Sequence, residues 1–137
     1  MPRTVTFPAV VVLMLWCVVR ALSVDALAAP LERVEFESAA QPLMPGDRIQ
    51  GSLAKPDGPG PFPAVIGLHG CGGMHAMTQQ KLADDLVAAG YVTFLVDSFA
   101  PRGIAHACTS GMAIVWRRMA DAYGALALLA RQSFVDI

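Results

Sequence analysis

Residues Ala64–Gly73, AVIGLHGCGG, carry an uninterrupted apolar run directly into a glycine-rich loop. The run Ala64–Leu68 reads as a strand covered on both faces. A helix follows over Thr78–Ala89, with Leu82, Leu86 and Ala89 on one face and Asp84 and Asp85 pointing away. Gly90 stands where a left-handed cap would end it. Tyr91–Val96 is a second apolar strand, closed by Asp97. A strand, a helix and a strand in that order pair in parallel through a right-handed crossover. That unit fixes the fold class as α/β.

The flanking segments extend the pattern. Leu31–Ser38 alternates apolar and polar residues, with Val34 and Phe36 on the inner side. Arg48–Ala54 is a further strand, entered through the turn Met44-Pro45-Gly46-Asp47. The stretch Pro56–Pro61 is a proline and glycine loop that neither a helix nor a central strand accommodates. After the irregular loop Ser98–Ser110, a helix is expected from Met112 to Gln132. Its inner stripe is read as Trp116, Met119, Tyr123, Leu126 and Ala130, and its outer side as an Arg117–Asp121 pair.

Charge excludes several classes of function. The chain has 137 residues and a formal net charge of −1, with no basic stripe for nucleic acid. Charged residues make up 15%, and the first thirty positions carry much of that deficit. Arg3 precedes sixteen uncharged residues, Thr4–Val19, and Ala26-Leu27-Ala28 then places small residues at −3 and −1 of a cleavage point. This is the order of a secretory signal peptide. The run is shorter than the roughly 20 residues that span a bilayer, although Arg20 behind it leaves an uncleaved anchor as the alternative. The expected division is a signal peptide over 1–28 and one domain over 29–137, periplasmic or secreted, with no membrane attachment after cleavage.

Cleavage would remove Cys17 and leave Cys71 and Cys108. In an oxidising compartment these either pair or stay as two separate buried thiols. A bridge would close a loop of about 38 residues and contribute about 3–4 kcal/mol on the chain-entropy model.

The glycine-rich loop fits no nucleotide motif. A P-loop needs Lys where Gly73 and Met74 follow Gly72, and the dinucleotide pattern from Gly70 and Gly72 meets His75 in place of its third glycine. His69, Cys71, His75, His106 and Cys108 have no standard zinc spacing, so neither a metal nor another cofactor is expected. His69, at a strand end, is read as a brace for the loop, and His75 and His106 as surface loop residues. Arg102 is either a bidentate clamp for a substrate carboxylate or a solvated loop arginine. Ser98 and Ser110 lack a neighbouring base or a strained turn to activate them.

Taken in order, LHGCGG, LADDLVAAGY, VTFLVDSFAPRG and RMADAYGALALLARQSFVD resemble the dienelactone hydrolase family over about residues 48–137. The resemblance implies a partial α/β-hydrolase fold, strands 1–4 and the first two helices, truncated before the nucleophile elbow. It implies hydrolysis of a small-molecule ester or lactone by a Cys or Ser nucleophile, a His and an Asp, none of which has a counterpart here. Only the oxyanion loop carries over: the backbone N–H of Cys71 as donor, Gly70 and Gly72 shaping the turn, His69 supporting it. Dienelactone-specific members place a glutamate where this chain has Gly70, which favours another ester, lactone or acyl compound. The isolated chain is expected to be inactive and prone to aggregate, with Ala64–Leu68 left as an open edge. Two other readings stay open: an exported, non-enzymatic α/β protein that binds a ligand or partner, and a thiol- or metal-binding periplasmic protein.

Overall fold

A computed structural model of the chain describes residues 28–109 and 112–136. The signal-peptide reading concerns residues of which 1–27 lie outside that range. The elements are β1 (Glu32–Glu37), β2 (Arg48–Ala54), β3 (Phe62–Leu68), α1 (Ala76–Ala88), β4 (Val92–Asp97), α2 (Met112–Leu129) and β5 (Val135–Asp136). A single 3-10 turn, Ala100–Arg102, interrupts the loop between β4 and α2.

The sheet order is β1-β2-β4-β3-β5. β1, β2 and β4 pair antiparallel in sequence, and β3 lies parallel to both β4 and β5. The chain thus steps from β3 to β4 in one direction and from β4 back across β3 to β5 in the other. Right-handed crossovers in opposite directions place α1 and α2 on opposite faces. Each face has its own core. Phe36, Ile49, Val92, Phe94 and Val96 pack with Ala125 and Leu129 of α2. Ala54 and Leu95 pack with Ala83 of α1 and with Ala29, ahead of β1.

β4 is buried over Val92–Val96, as a central strand must be. β3, expected to be covered on both faces, is only half-buried. Its pairing with β5 stops at Phe62–Val135 and Pro63–Asp136, so Ala64–Leu68 keeps one edge open. α1 ends in a Schellman arrangement: the Tyr91 N–H donates to the Leu86 carbonyl and the Gly90 N–H to that of Val87, with Gly90 at φ +88°.

Two sequence expectations about helix faces are overturned. On α1 the buried residue is Ala83, whereas Leu82 is 42% exposed, and Asp84, expected to point away from the apolar face, is half-buried and accepts a hydrogen bond from the Ala29 N–H at 2.7 Å. The stripe Trp116, Met119, Tyr123, Leu126 and Ala130 is the outer side of α2, with Trp116 50% and Tyr123 59% exposed. The inner side is Ala120, Asp121, Gly124, Ala125 and Leu129. The reason is proximity. The Ala120 carbonyl accepts from the Ala39 N–H at 2.9 Å, and a Cβ on Gly124 would stand 2.4 Å from the Glu37 carbonyl oxygen. Only small side chains allow that approach, and larger apolar ones are turned outward.

Candidate functional site

The glycine-rich loop lies at the carboxyl end of β3, where the sheet reverses its strand order. Open α/β sheets form their ligand crevices at such a point. His69 holds the loop's base. Its ring is 3% exposed, and its Nε2 accepts from the Ser98 N–H at 3.2 Å. The proton is therefore assigned to Nδ1, which donates to the Gly70 carbonyl at 2.7 Å. The ring meets Phe99 edge-on at 4.4 Å between centroids. Arg118, on α2, donates to the His69 carbonyl and lies 5.7 Å from the centre of the Phe99 ring.

Further along, Cys71 and Cys108 form a disulfide with Cα atoms 4.7 Å apart. The Ala107 N–H donates to the Cys71 carbonyl at 2.8 Å, so the centre of the loop is tied to the β4–α2 connection twice. Neither thiol is available to a metal while bridged, and among the described residues no cluster of three or more His, Cys, Asp or Glu is placed to hold one. The Gly73 N–H closes the turn on the Gly70 carbonyl at 3.2 Å. The left-handed position in this loop belongs to Gly73, at φ +87°. A Cβ on Gly70 would meet nothing within 4 Å.

With the carbonyls of Gly70 and Cys71 engaged, the amides of Cys71 and Gly72 donate to no protein group among the described residues. Both residues are exposed, and neither lines the nearby cavity of about 260 Å³, whose walls are the flanking His69, Gly70 and Met74 with His75, Leu82 and Leu95 among others. His75 occupies the N-cap of α1 without a side-chain capping bond, and His106 is exposed in the loop that follows β4.

Arg102 is not a substrate clamp, and it is not solvated either. Its side chain is 7% exposed and already holds two carboxylates of the chain itself. It makes a bidentate pair with Asp121 (2.8 Å to each oxygen), bonds to Asp47 at 2.6 and 2.9 Å, and donates to the Ser98 carbonyl at 2.8 Å. Burial works against its charge, yet the hydrogen bonds to Asp121 and Asp47 and their negative charges hold its pKa above the ordinary arginine value. Asp121, fully buried, therefore faces Arg102 and not Arg117, whose nearest carboxylate is Asp47 at 3.7 Å. Sequence reasoning missed this network and Arg118. The available signal was an aspartate set among small residues at the core period of a helix.

Asp97 caps the 3-10 turn: its Oδ1 accepts from the N–H groups of Phe99 and Ala100, both at 3.0 Å. Burial pushes its pKa up, but the amides of Ala100 and Phe99, the Gln50 side chain and the His69 ring 3.9 Å away outweigh burial and hold the carboxyl below its usual value. A carboxyl depressed in the folded state stabilises above its unfolded pKa, and that contribution is lost as pH falls through the folded value. Stability is thus expected to decline below about pH 4 in part through Asp97. Asp97→Asn should flatten that part of the acid limb in denaturant titrations while keeping the cap, since its amide oxygen still accepts from both N–H groups, whereas Asp97→Ala should cost about 1 kcal/mol at neutral pH. An unchanged acid limb would contradict the assignment.

No family model and no curated protein matches the chain by sequence. Solved structures match its fold. A protein described as a dienelactone hydrolase from Klebsiella pneumoniae superposes with a TM-score of 0.54 at 20% identity, over 78% of this chain and 46% of that one. The esterase Est22 superposes at 0.51 and 17% identity, over 81% of this chain and 33% of its own. The chain has a partial α/β-hydrolase fold, and it spans less than half the length of these structures.

Proposed function

We propose that this chain is the N-terminal part of a secreted, dienelactone hydrolase-like enzyme that cleaves an ester or lactone, and that its glycine-rich loop supplies one half of an oxyanion hole. The observation that carries this reading is the pair of undonated amides at Cys71 and Gly72, in an exposed loop at the reversal of strand order whose neighbouring glycines, Gly70 and Gly73, line a cavity. Attack on a carbonyl builds negative charge on oxygen, and one preorganised N–H donor at that position typically lowers the barrier by about 2.7–4 kcal/mol. The disulfide and the Ala107 bond keep the donor aimed without reorganisation during reaction. The nucleophile, acid and base would be supplied by chain beyond Ile137. The open edge of β3 and the exposed stripe on α2 support this, since both are surfaces that more of the same domain would cover.

Backbone amide NMR of the 137-residue chain with an added alkylphosphonate, a tetrahedral anion, tests the loop. The resonances of Cys71 and Gly72 are expected to move together and to saturate, while those of α2 stay in place. Amides at 71 and 72 that ignore the anion would end the oxyanion reading. The same preparation is expected to show no turnover of a p-nitrophenyl ester; hydrolysis above the buffer rate would place the reacting groups inside this chain and overturn the division proposed.

A further inference from the structure

Ala29, the residue after the Ala26-Leu27-Ala28 cleavage pattern, is held more firmly than a chain leading into a first strand requires. It is 8% exposed, with its methyl packed among Ala54, Ala83 and Leu95. Its N–H donates to Oδ1 of Asp84 at 2.7 Å, and its carbonyl accepts from Nε2 of Gln80 at 2.8 Å. Gln80 and Asp84 lie one turn apart on α1, and Gln80 also donates to Asp84 Oδ1 at 2.9 Å. Among the described residues, Oδ2 of Asp84 accepts no hydrogen bond. The hydrogen bonds that Asp84 accepts from the Ala29 amide and Gln80 both come from neutral groups and both fall on Oδ1, while the nearby exposed Lys81 ammonium is hydrogen-bonded to Asp85.

We propose that these residues form a receptor for a newly made N-terminus: cleavage after Ala28 releases the leader, and Asp84 receives the resulting α-ammonium of Ala29. Hydrolysis by a leader peptidase takes up one water. Ala28 departs with the carboxylate, and Ala29 keeps the amine, which is protonated at neutral pH. The ammonium has three donors where the amide had one, and its bond to Asp84 becomes a charge-assisted one. Gln80 fixes both partners, holding the Ala29 carbonyl and the Asp84 carboxylate. Processing then strengthens the contact between the N-terminal segment and α1, which forms one wall of the cavity beside the glycine-rich loop. This inference does not depend on the ester-hydrolase reading; it depends on export.

The full 137-residue chain, produced in a bacterial host that exports it and recovered through a C-terminal tag, supplies the test. Intact mass and N-terminal sequencing are expected to give Ala29 as the first residue. Any other first residue, or an uncleaved chain, would overturn the proposal. The reactivity of the Ala29 amine towards acetic anhydride is then measured at neutral pH. Acetylation in the folded product is expected to be slower by about tenfold than in the same product unfolded in urea, a factor that one charge-assisted hydrogen bond accounts for. Asp84→Asn is expected to recover most of the reactivity. Equal rates for folded and unfolded wild-type product would overturn the docking whatever the variant does, so the result does not rest on the variant's folding.

Discussion

Arg102→Ala is expected to abolish the cooperative unfolding transition of this chain. Arg102 joins three segments that are distant in sequence: Asp47 ahead of β2, the Ser98 carbonyl after β4, and Asp121 on the inner face of α2. Removing the guanidinium leaves the Asp121 carboxylate, 0% exposed, without its cation. Breaking one side of a buried pair costs about 3–5 kcal/mol, against a total of about 5–15 kcal/mol for an ordinary domain. A sheet with one open edge stands at the lower end of that range. The measurement is a urea titration followed by far-ultraviolet circular dichroism. Arg102→Lys should fall between, since a lysine cannot span both oxygens of Asp121 and reach Asp47 with one fork. Arg102→Met with Asp121→Leu should recover most of the loss, because removing both charges ends the desolvation problem. A single variant with an unchanged midpoint would show that the network does not hold α2 to the sheet.

That network also marks where the sequence stops being informative. β2 is found over Arg48–Ala54, as the turn signal ahead of it indicates, and Gly90 closes α1 because a left-handed cap leaves few alternatives. These are local signals, legible within a few residues. The face of α2 is not local. Hydrophobicity alone turns Trp116, Met119 and Tyr123 inward, but the backbone of α2 lies so close to the exit of β1 that Ala120, Gly124 and Ala125 must face it instead. Asp121 follows them inside and needs a cation from elsewhere, which local pairing with Arg117 could not reveal. β5 was illegible because a two-residue strand has no period, and only its partner on β3 defines it. In the loop, the glycines announced a tight turn, yet which glycine takes the left-handed position depends on where Gly70 and Cys71 spend their carbonyls.

Gly124 separates the two accounts of α2 by the sign of one number. If helix propensity governed this position, Gly124→Ala would stabilise the chain by about 1 kcal/mol. The packing argues for the opposite. A methyl there would stand 2.4 Å from the Glu37 carbonyl oxygen, 2.7 Å from the Ser38 Cα and 3.1 Å from the Ala39 nitrogen. All three are backbone atoms, so no side-chain rotation relieves the clash. α2 must then lift from β1, which stretches the Ala39–Ala120 hydrogen bond and opens the side of the core holding Phe36 and Ala125. Overpacking of this kind costs about 1–3 kcal/mol, more than the propensity gain, and Gly124→Val should exceed Gly124→Ala. The expected result is a lowered denaturation midpoint for alanine and a further drop for valine. The fluorescence of Trp116 offers a second readout, because the Gln41 side chain holds its carbonyl across this junction at 3.2 Å. A raised midpoint for Gly124→Ala would mean that α2 does not seat against β1 through its small residues, and the outward placement of its aromatic stripe would fall with it.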